Sequence, residues 1–291
     1  MKKKIVPAIF LAALYSVSLK SQVDVINKNL DVPQPQCWRW EQMKPSDLAE
    51  AIKTLPVAYL VISPLEWHGE AISFGCDPLI GRTVAEKAWG KTGGVIIPTL
   101  YIGVETLYHG WSESEFKLTD YWGMEWITKE HNPGSLYCSP TSLELLMREM
   151  LSFIEEEGFK ICVIVSGHGG YEHVKVLREL EERSDGRPMK IIYSRLIEKE
   201  MPEELKFPGS GGHADFEEVS IVGSIDSTMV DKSKFGKTER DAKIGLQQKN
   251  VNLIDYNKGK KVLDFMVDQL VETVNEAIRI MQFNPERVQS R

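Results

Sequence analysis

Five side chains in this sequence belong to the types that hold transition metals, and they fall in three short stretches. The first stretch reads Ser63-Pro64-Leu65-Glu66-Trp67-His68-Gly69, followed by Phe74-Gly75-Cys76-Asp77-Pro78. Glu66 and His68 are two apart, so in extended backbone both side chains point the same way. The second reads Ser166-Gly167-His168-Gly169-Gly170-Tyr171. Packing does not readily explain a histidine among three glycines. Glycine raises the entropic cost of ordering a turn, while letting main chain come close to whatever the histidine binds. The third is Gly211-Gly212-His213-Ala214-Asp215-Phe216-Glu217-Glu218-Val219-Ser220.

Glu66, His68, Asp77, His168 and Glu218, with His213 in reserve, form a mixed imidazole and carboxylate set. Such donors suit zinc, manganese or iron, not calcium. Five ligands exceed the three of one catalytic zinc, so two ions sharing a bridging carboxylate fit the count better. Ions about 3.5–4 Å apart hold a hydroxide near neutral pH and polarise a carbonyl. Each stretch also has a plainer reading. Asp77 would cap a helix, with Glu66 and His68 exposed on a loop, and Asp215 and Glu217 would start another helix, whose positive end favours acids. Other chemistries lack their signatures. No phosphate-binding G-x-G-x-x-G or G-x-x-x-x-G-K-[ST] occurs, and neither G-x-S-x-G nor H-E-x-x-H is present.

The elements that must position these groups are legible as short apolar runs. Val57–Ser63, Gly94–Leu100, Ile161–Ser166 and Lys190–Ser194 are rich in Val and Ile, the pattern of strands buried on both faces of a parallel sheet. Leu143, Leu146, Met147, Met150, Leu151 and Ile154 draw an amphipathic helix that Gly158 ends. Val262, Phe265, Met266, Leu270, Val274, Ala277 and Met281 draw a final one, and a further helix is expected over Leu79–Trp89 with Pro78 at its first position. Alternating strands and helices without a linker or repeat predict one α/β domain with a doubly wound, mostly parallel sheet and helices on both faces. In such sheets, functional groups gather where strands end and helices begin.

Composition bounds the reading without choosing a chemistry. The chain has 291 residues, 42% hydrophobic and 26% charged, which excludes disorder and allows a large core. Its net charge of −7 argues against nucleic acid as a partner, which needs a basic footprint. Residues 1–22 hold four lysines and no acid, leaving 31 basic against 42 acidic residues beyond them. Lys2, Lys3 and Lys4, an apolar run from Ile5 to Leu19, then Lys20-Ser21-Gln22 have the layout of a secretory signal peptide. The run is too short to span a bilayer, so no stable membrane anchor remains after cleavage, and the domain of residues 23–291 is expected to be periplasmic or secreted. Cys37, Cys76, Cys138 and Cys162 contain no C-x-x-C pair and make no disulfide scaffold. One bridge among them stays open, and Cys162 reads as a core residue.

The three stretches, in residues, order and spacing, resemble the creatininase (creatinine amidohydrolase) family. Asn132-Pro133-Gly134-Ser135-Leu136 resembles a further segment of that family, and the likeness covers roughly residues 45–280. The resemblance implies a doubly wound α/β fold, often assembled as hexamers, with a two-metal hydrolytic centre of zinc, manganese or iron. By position, Glu66 and His168 resemble ligands of one ion, His68 and Glu218 those of the other, with Asp77 bridging. His213 would stand close by as proton donor or substrate-orienting residue, with Glu218 also part of the catalytic set.

Departures from the family pattern surround these residues. Glu70-Ala71-Ile72 replaces Pro-His-Leu, Trp67 replaces Gln, Ser166 and Tyr171 replace flanking Asn residues, and Val219 replaces Thr. Gly170 stands where creatininase proper resembles a ligand Glu, so creatinine itself is not the expected substrate. Candidate substrate contacts are Trp67, Glu70, Gly169, Gly170, Tyr171 and, from the aromatic segment 101–131, Trp111; that segment reads equally as a lid or as a mini-core. The expectation is a homo-oligomeric, metal-dependent hydrolase acting on a C–N bond of a small linear or cyclic amide through a hydroxide bound to two metal ions. A non-catalytic ligand-binding protein of the same fold, or a hydrolase of an oxidised cyclitol or lactone, are the alternatives.

Overall fold

The computed structural model describes residues 38–104, 135–194, 196, 200–210, 213–235 and 248–283. The expected leader at 1–22, Cys37, Trp111 and most of the aromatic segment lie outside them. Four strands, β1 (Val57–Ile62), β2 (Val95–Leu100), β3 (Ile161–Val165) and β4 (Lys190–Ser194), form an all-parallel sheet in the order β2-β1-β3-β4. Register is set by pairs such as Val57↔Ile161 and Ala58↔Cys162 between β1 and β3. Every residue of β1 and β3 is buried, as their unbroken apolar runs require.

Among the described residues six helices cover the sheet: α1 (Pro45–Thr54), α2 (Cys76–Thr92), α3 (Pro140–Glu156), α4 (Tyr171–Glu182), α5 (Phe216–Ile225) and α6 (Tyr256–Phe283). The two-residue period of the strands sorts the core into two layers. Val57, Tyr59 and Val61 of β1 pack with Ile161, Val163 and Val165 of β3 toward α2, α5 and α6. Ala58, Leu60 and Ile62 pack with Cys162 and Ile164 toward α1, α3 and α4. Cys162 is thus a fully buried core residue, as its run suggested.

The helices begin where local chemistry satisfies their first amides. Pro45 opens α1, and Asp47 accepts from the Lys44 amide at 3.3 Å. Ser139 caps α3 by accepting from Ser142 N at 3.1 Å, with Pro140 as its first residue. Helix α2 starts earlier than the proline suggested. Its cap is Gly75, so Asp77 and Pro78 are the second and third helical residues and Asp77 is not an N-cap. Proline is tolerated there because the amides of the first turn lack helical acceptors. Among the described residues no helix is long and apolar enough to cross a membrane.

Candidate metal centre

In the order β2-β1-β3-β4 the chain direction of growth reverses between β1 and β3, and ligand sites form beside the carboxyl ends of strands at such a switch. Glu66 and His68 follow β1, His168 follows β3, Asp77 lies in the first turn of α2 and Glu218 in that of α5. Hydrogen bonds join the two strand-end loops. Gly167 N donates to Ser63 Oγ at 3.0 Å and Ser63 Oγ lies 3.3 Å from Ser166 Oγ, while within the second loop His168 N donates to Ser166 Oγ at 3.2 Å. Gly167 leaves no room for a side chain, because a Cβ there would run into the Asp77 carbonyl. Gly167→Ala is therefore expected to push the two loops apart and cost about 1–3 kcal/mol of stability, read as a lower denaturant midpoint.

The two imidazoles are oriented by their far nitrogens. His68 Nδ1 lies 3.0 Å from the Glu66 carbonyl and donates to it, so Nε2 presents its lone pair to Asp77 Oδ1 at 3.2 Å and Glu218 Oε2 at 3.4 Å. His168 Nε2 donates to the Val104 carbonyl at 3.0 Å, leaving Nδ1 facing Glu66 Oε2 at 2.9 Å and Asp77 Oδ2 at 3.0 Å. Asp77 thus turns one oxygen to each histidine. His68 Nε2 is fully buried and makes no hydrogen bond. An imidazole nitrogen and carboxylate oxygens facing one another across about 3 Å need a proton or a metal ion between them, and the donor set fits a divalent ion of the zinc or manganese type.

Charge in the cluster is shared unequally. Burial opposes ionisation of Glu66, but His168, then His213 and His68, hold its carboxyl well below the usual range. Glu218 is lowered in the same way, against burial, by His68, His213 and the Ala214 amide. Asp77 is raised, by burial and by neighbouring Glu66, despite the pull of His68. Burial disfavours a positive His68, yet Cys76, Glu218 and Asp77 push it well above the ordinary histidine value. His168 is also raised against burial, by Glu66 and Asp77. The field that keeps protons on these rings is one that would retain a metal cation.

His213 stands at the edge of the cluster, 30% exposed, with Nδ1 3.6 Å from Glu66 Oε1 and its ring tilted on His68 at 4.5 Å between centroids. Ala214, at φ 53°, turns the backbone so that its amide donates to Glu218 Oε2 at 2.6 Å. Two residues that sequence reasoning left out also belong here. Cys76 lies with His68, Asp77 and Glu218 in one potential ligand group. His173, fully buried on α4, lies edge-on to His168 at 5.1 Å; its Nδ1 accepts from Val104 N, while its Nε2 bonds Ser166 Oγ at 3.1 Å. Its signal was present in the stripe His173, Val176, Leu177, Leu180, the buried face of α4.

The candidate substrate contacts are placed less uniformly. Trp67 is buried in the core layer of α2, α5 and α6, whereas Glu70 and Tyr171 are exposed. Gly170 is buried where a Cβ would collide with His168 Nε2. Gly169 is exposed and lines a cavity of about 270 Å³ together with His168, Glu218, Leu196, Ile221 and Met266. The three described cysteines, Cys76, Cys138 and Cys162, are free.

Comparison with known proteins agrees with this fold. A search of curated proteins returns no match. Among solved structures, creatinine amidohydrolase (creatininase) aligns with a TM-score of 0.63 at 14% identity, over 84% of this chain and 98% of that one. A manganese form of creatininase aligns at 0.62 with 15% identity, over 84% and 99%. A zinc–zinc form of a creatininase variant aligns at 0.60 with 15% identity, over the same shares. The family described as Creatininase, creatinine amidohydrolase, matches residues 41–274. The chain belongs to the creatininase family of hydrolases, as a divergent member with its α/β fold.

Proposed function

We propose that this protein is a metal-dependent amidohydrolase that cleaves the C–N bond of a small linear or cyclic amide at a centre of two divalent ions. The observation that carries this reading is the buried lone pair of His68 Nε2, set against Asp77 and Glu218 without a hydrogen bond. Glu66 and His168 would hold one ion, His68 and Glu218 the other, with Asp77 shared. Bound ions of this kind activate water as a nucleophile and polarise a carbonyl.

The chain's own residues supply the rest. The Ala214 amide fixes the Glu218 carboxylate, and Val104 and the Glu66 carbonyl fix the two imidazoles. His213, the partly exposed imidazole of the group, delivers a proton to the leaving nitrogen, which is otherwise too basic to depart. Glu66 Oε1 steadies its ring from 3.6 Å. The cavity over Gly169 has the size for a small molecule, and its wall joins the polar His168, Glu217 and Glu218 to the apolar Leu196, Ile221 and Met266. Zinc and manganese are the ions to try first, since creatininase structures of the same fold carry those names.

Two ions per chain are expected by elemental analysis after growth with zinc or manganese, and chelation should abolish amide hydrolysis. Loading should strengthen as pH rises, because His68 and His168 hold protons well above their ordinary value and must release them to bind metal. Fewer than one ion per chain would remove the reading. Export after loss of residues 1–22 and assembly as a homo-oligomer are part of the proposal, and N-terminal sequencing and sizing of the same preparation check them.

A further inference from the structure

The thiol of Cys76 has no part in the two-ion arrangement just described. Cys76 opens α2 one residue before Asp77, is fully buried and forms no disulfide. Its sulfur, His68 Nε2, and a carboxylate oxygen from each of Asp77 and Glu218 all lie within 4.8 Å of one another. A buried cysteine by itself is commonly a small core hydrophobe, and Cys76 does border the apolar layer beneath α2. The second observation is His68. Its side chain is wholly buried, its Nδ1 is engaged by the Glu66 carbonyl, and its Nε2 lone pair faces this group without a hydrogen bond.

One nitrogen, one sulfur and two oxygens are donors that zinc takes; they number one more than a catalytic zinc's usual three, so a reacting water there would be a fifth ligand. The companion group of Glu66, Asp77 and His168 has nitrogen and oxygen only. Thiolate is soft and selects zinc over manganese, whereas carboxylates suit the harder ion. The two halves of the centre therefore differ in chemical taste.

We infer that Cys76 is a thiolate ligand of the ion held by His68 and Glu218, which makes that half of the centre selective for zinc. The inference rests on the two-ion reading above. As the sulfur–metal bond forms, the S–H bond breaks and its proton passes to solvent, so no oxidant or further reactant is required.

Cobalt(II) distinguishes the outcomes. The full chain, purified under reducing conditions and stripped with a chelator, is titrated with Co²⁺ and followed in the visible and near ultraviolet. Two cobalt ions per chain and a thiolate-to-cobalt charge-transfer band are expected. Cys76→Ser should remove the band while keeping the visible cobalt bands, and should lower the preference for zinc over manganese by about tenfold or more. A chain in which Cys37, Cys138 and Cys162 are replaced by Ala should keep the band, which decides the matter even if the Cys76 variant fails to fold. Two cobalt ions without the band, or a band that persists in Cys76→Ser, overturn the thiolate ligand and leave the two-ion reading standing. Fewer than one cobalt ion per wild-type chain overturns both.

Discussion

Replacing Asp77 by Asn is expected to lower kcat/KM by about a thousandfold or more and to reduce bound metal below one ion per chain. Removing a residue that merely orients a ligand costs about 10–100-fold in activity or affinity. Asp77 is placed to do more, since its two oxygens lie 3.2 Å from His68 Nε2 and 3.0 Å from His168 Nδ1. The amide keeps the shape and loses the charge, and its NH₂ turns a donor toward one of the two imidazole lone pairs. Both halves of the centre should fail together, which elemental analysis and turnover on a panel of small amides would read. Metal content and turnover equal to wild type would take Asp77 out of the centre.

His213→Gln should separate catalysis from metal binding. The expected loss is about 10²–10⁴ in kcat, the usual worth of a positioned proton donor, with two ions still bound. Substrates whose leaving amine is weakly basic should suffer least, since they need less help to depart. The contrary result is also informative. His213 forms a potential ligand group with Glu66 and His68, and a variant that sheds metal would make it a ligand instead of a proton donor.

The strands were legible because each is a short run rich in Val and Ile, buried throughout in β1 and β3, and their observed bounds differ from the expected ones by a single residue at most. The candidate metal-binding residues were legible for another reason: a histidine among glycines has no ready packing explanation, and Glu66 and His68, two apart, face the same way in extended backbone. Gly167 and Gly170 turned out to be demanded by contacts with Asp77 and His168, which no local pattern reveals. Cys76 carries no signal in the sequence, because it forms no C-x-x-C pair and Pro78 points to a later start for α2. The helix begins two residues before that proline, and its first turn carries the sulfur inward beside Asp77. His173 was hidden in an ordinary amphipathic stripe, where only the neighbouring ring of His168 gives an imidazole a purpose. Helix α1 was missed as well; it buries a single leucine, Leu48, and so has little apolar stripe to read.

The hydrogen bond from Gly167 to Ser63 joins residues 104 apart in sequence, and the parallel pairing of β1 with β3 lies directly behind it. Closing so long a loop comes late in folding, because the entropy of closure must be met before the contacts repay it. Until that happens the histidines and carboxylates are scattered along the polymer and offer no chelate. Metal uptake by the proposed centre would thus follow closure of the sheet, and its choice among ions would be made only from those surrounding the chain at that moment.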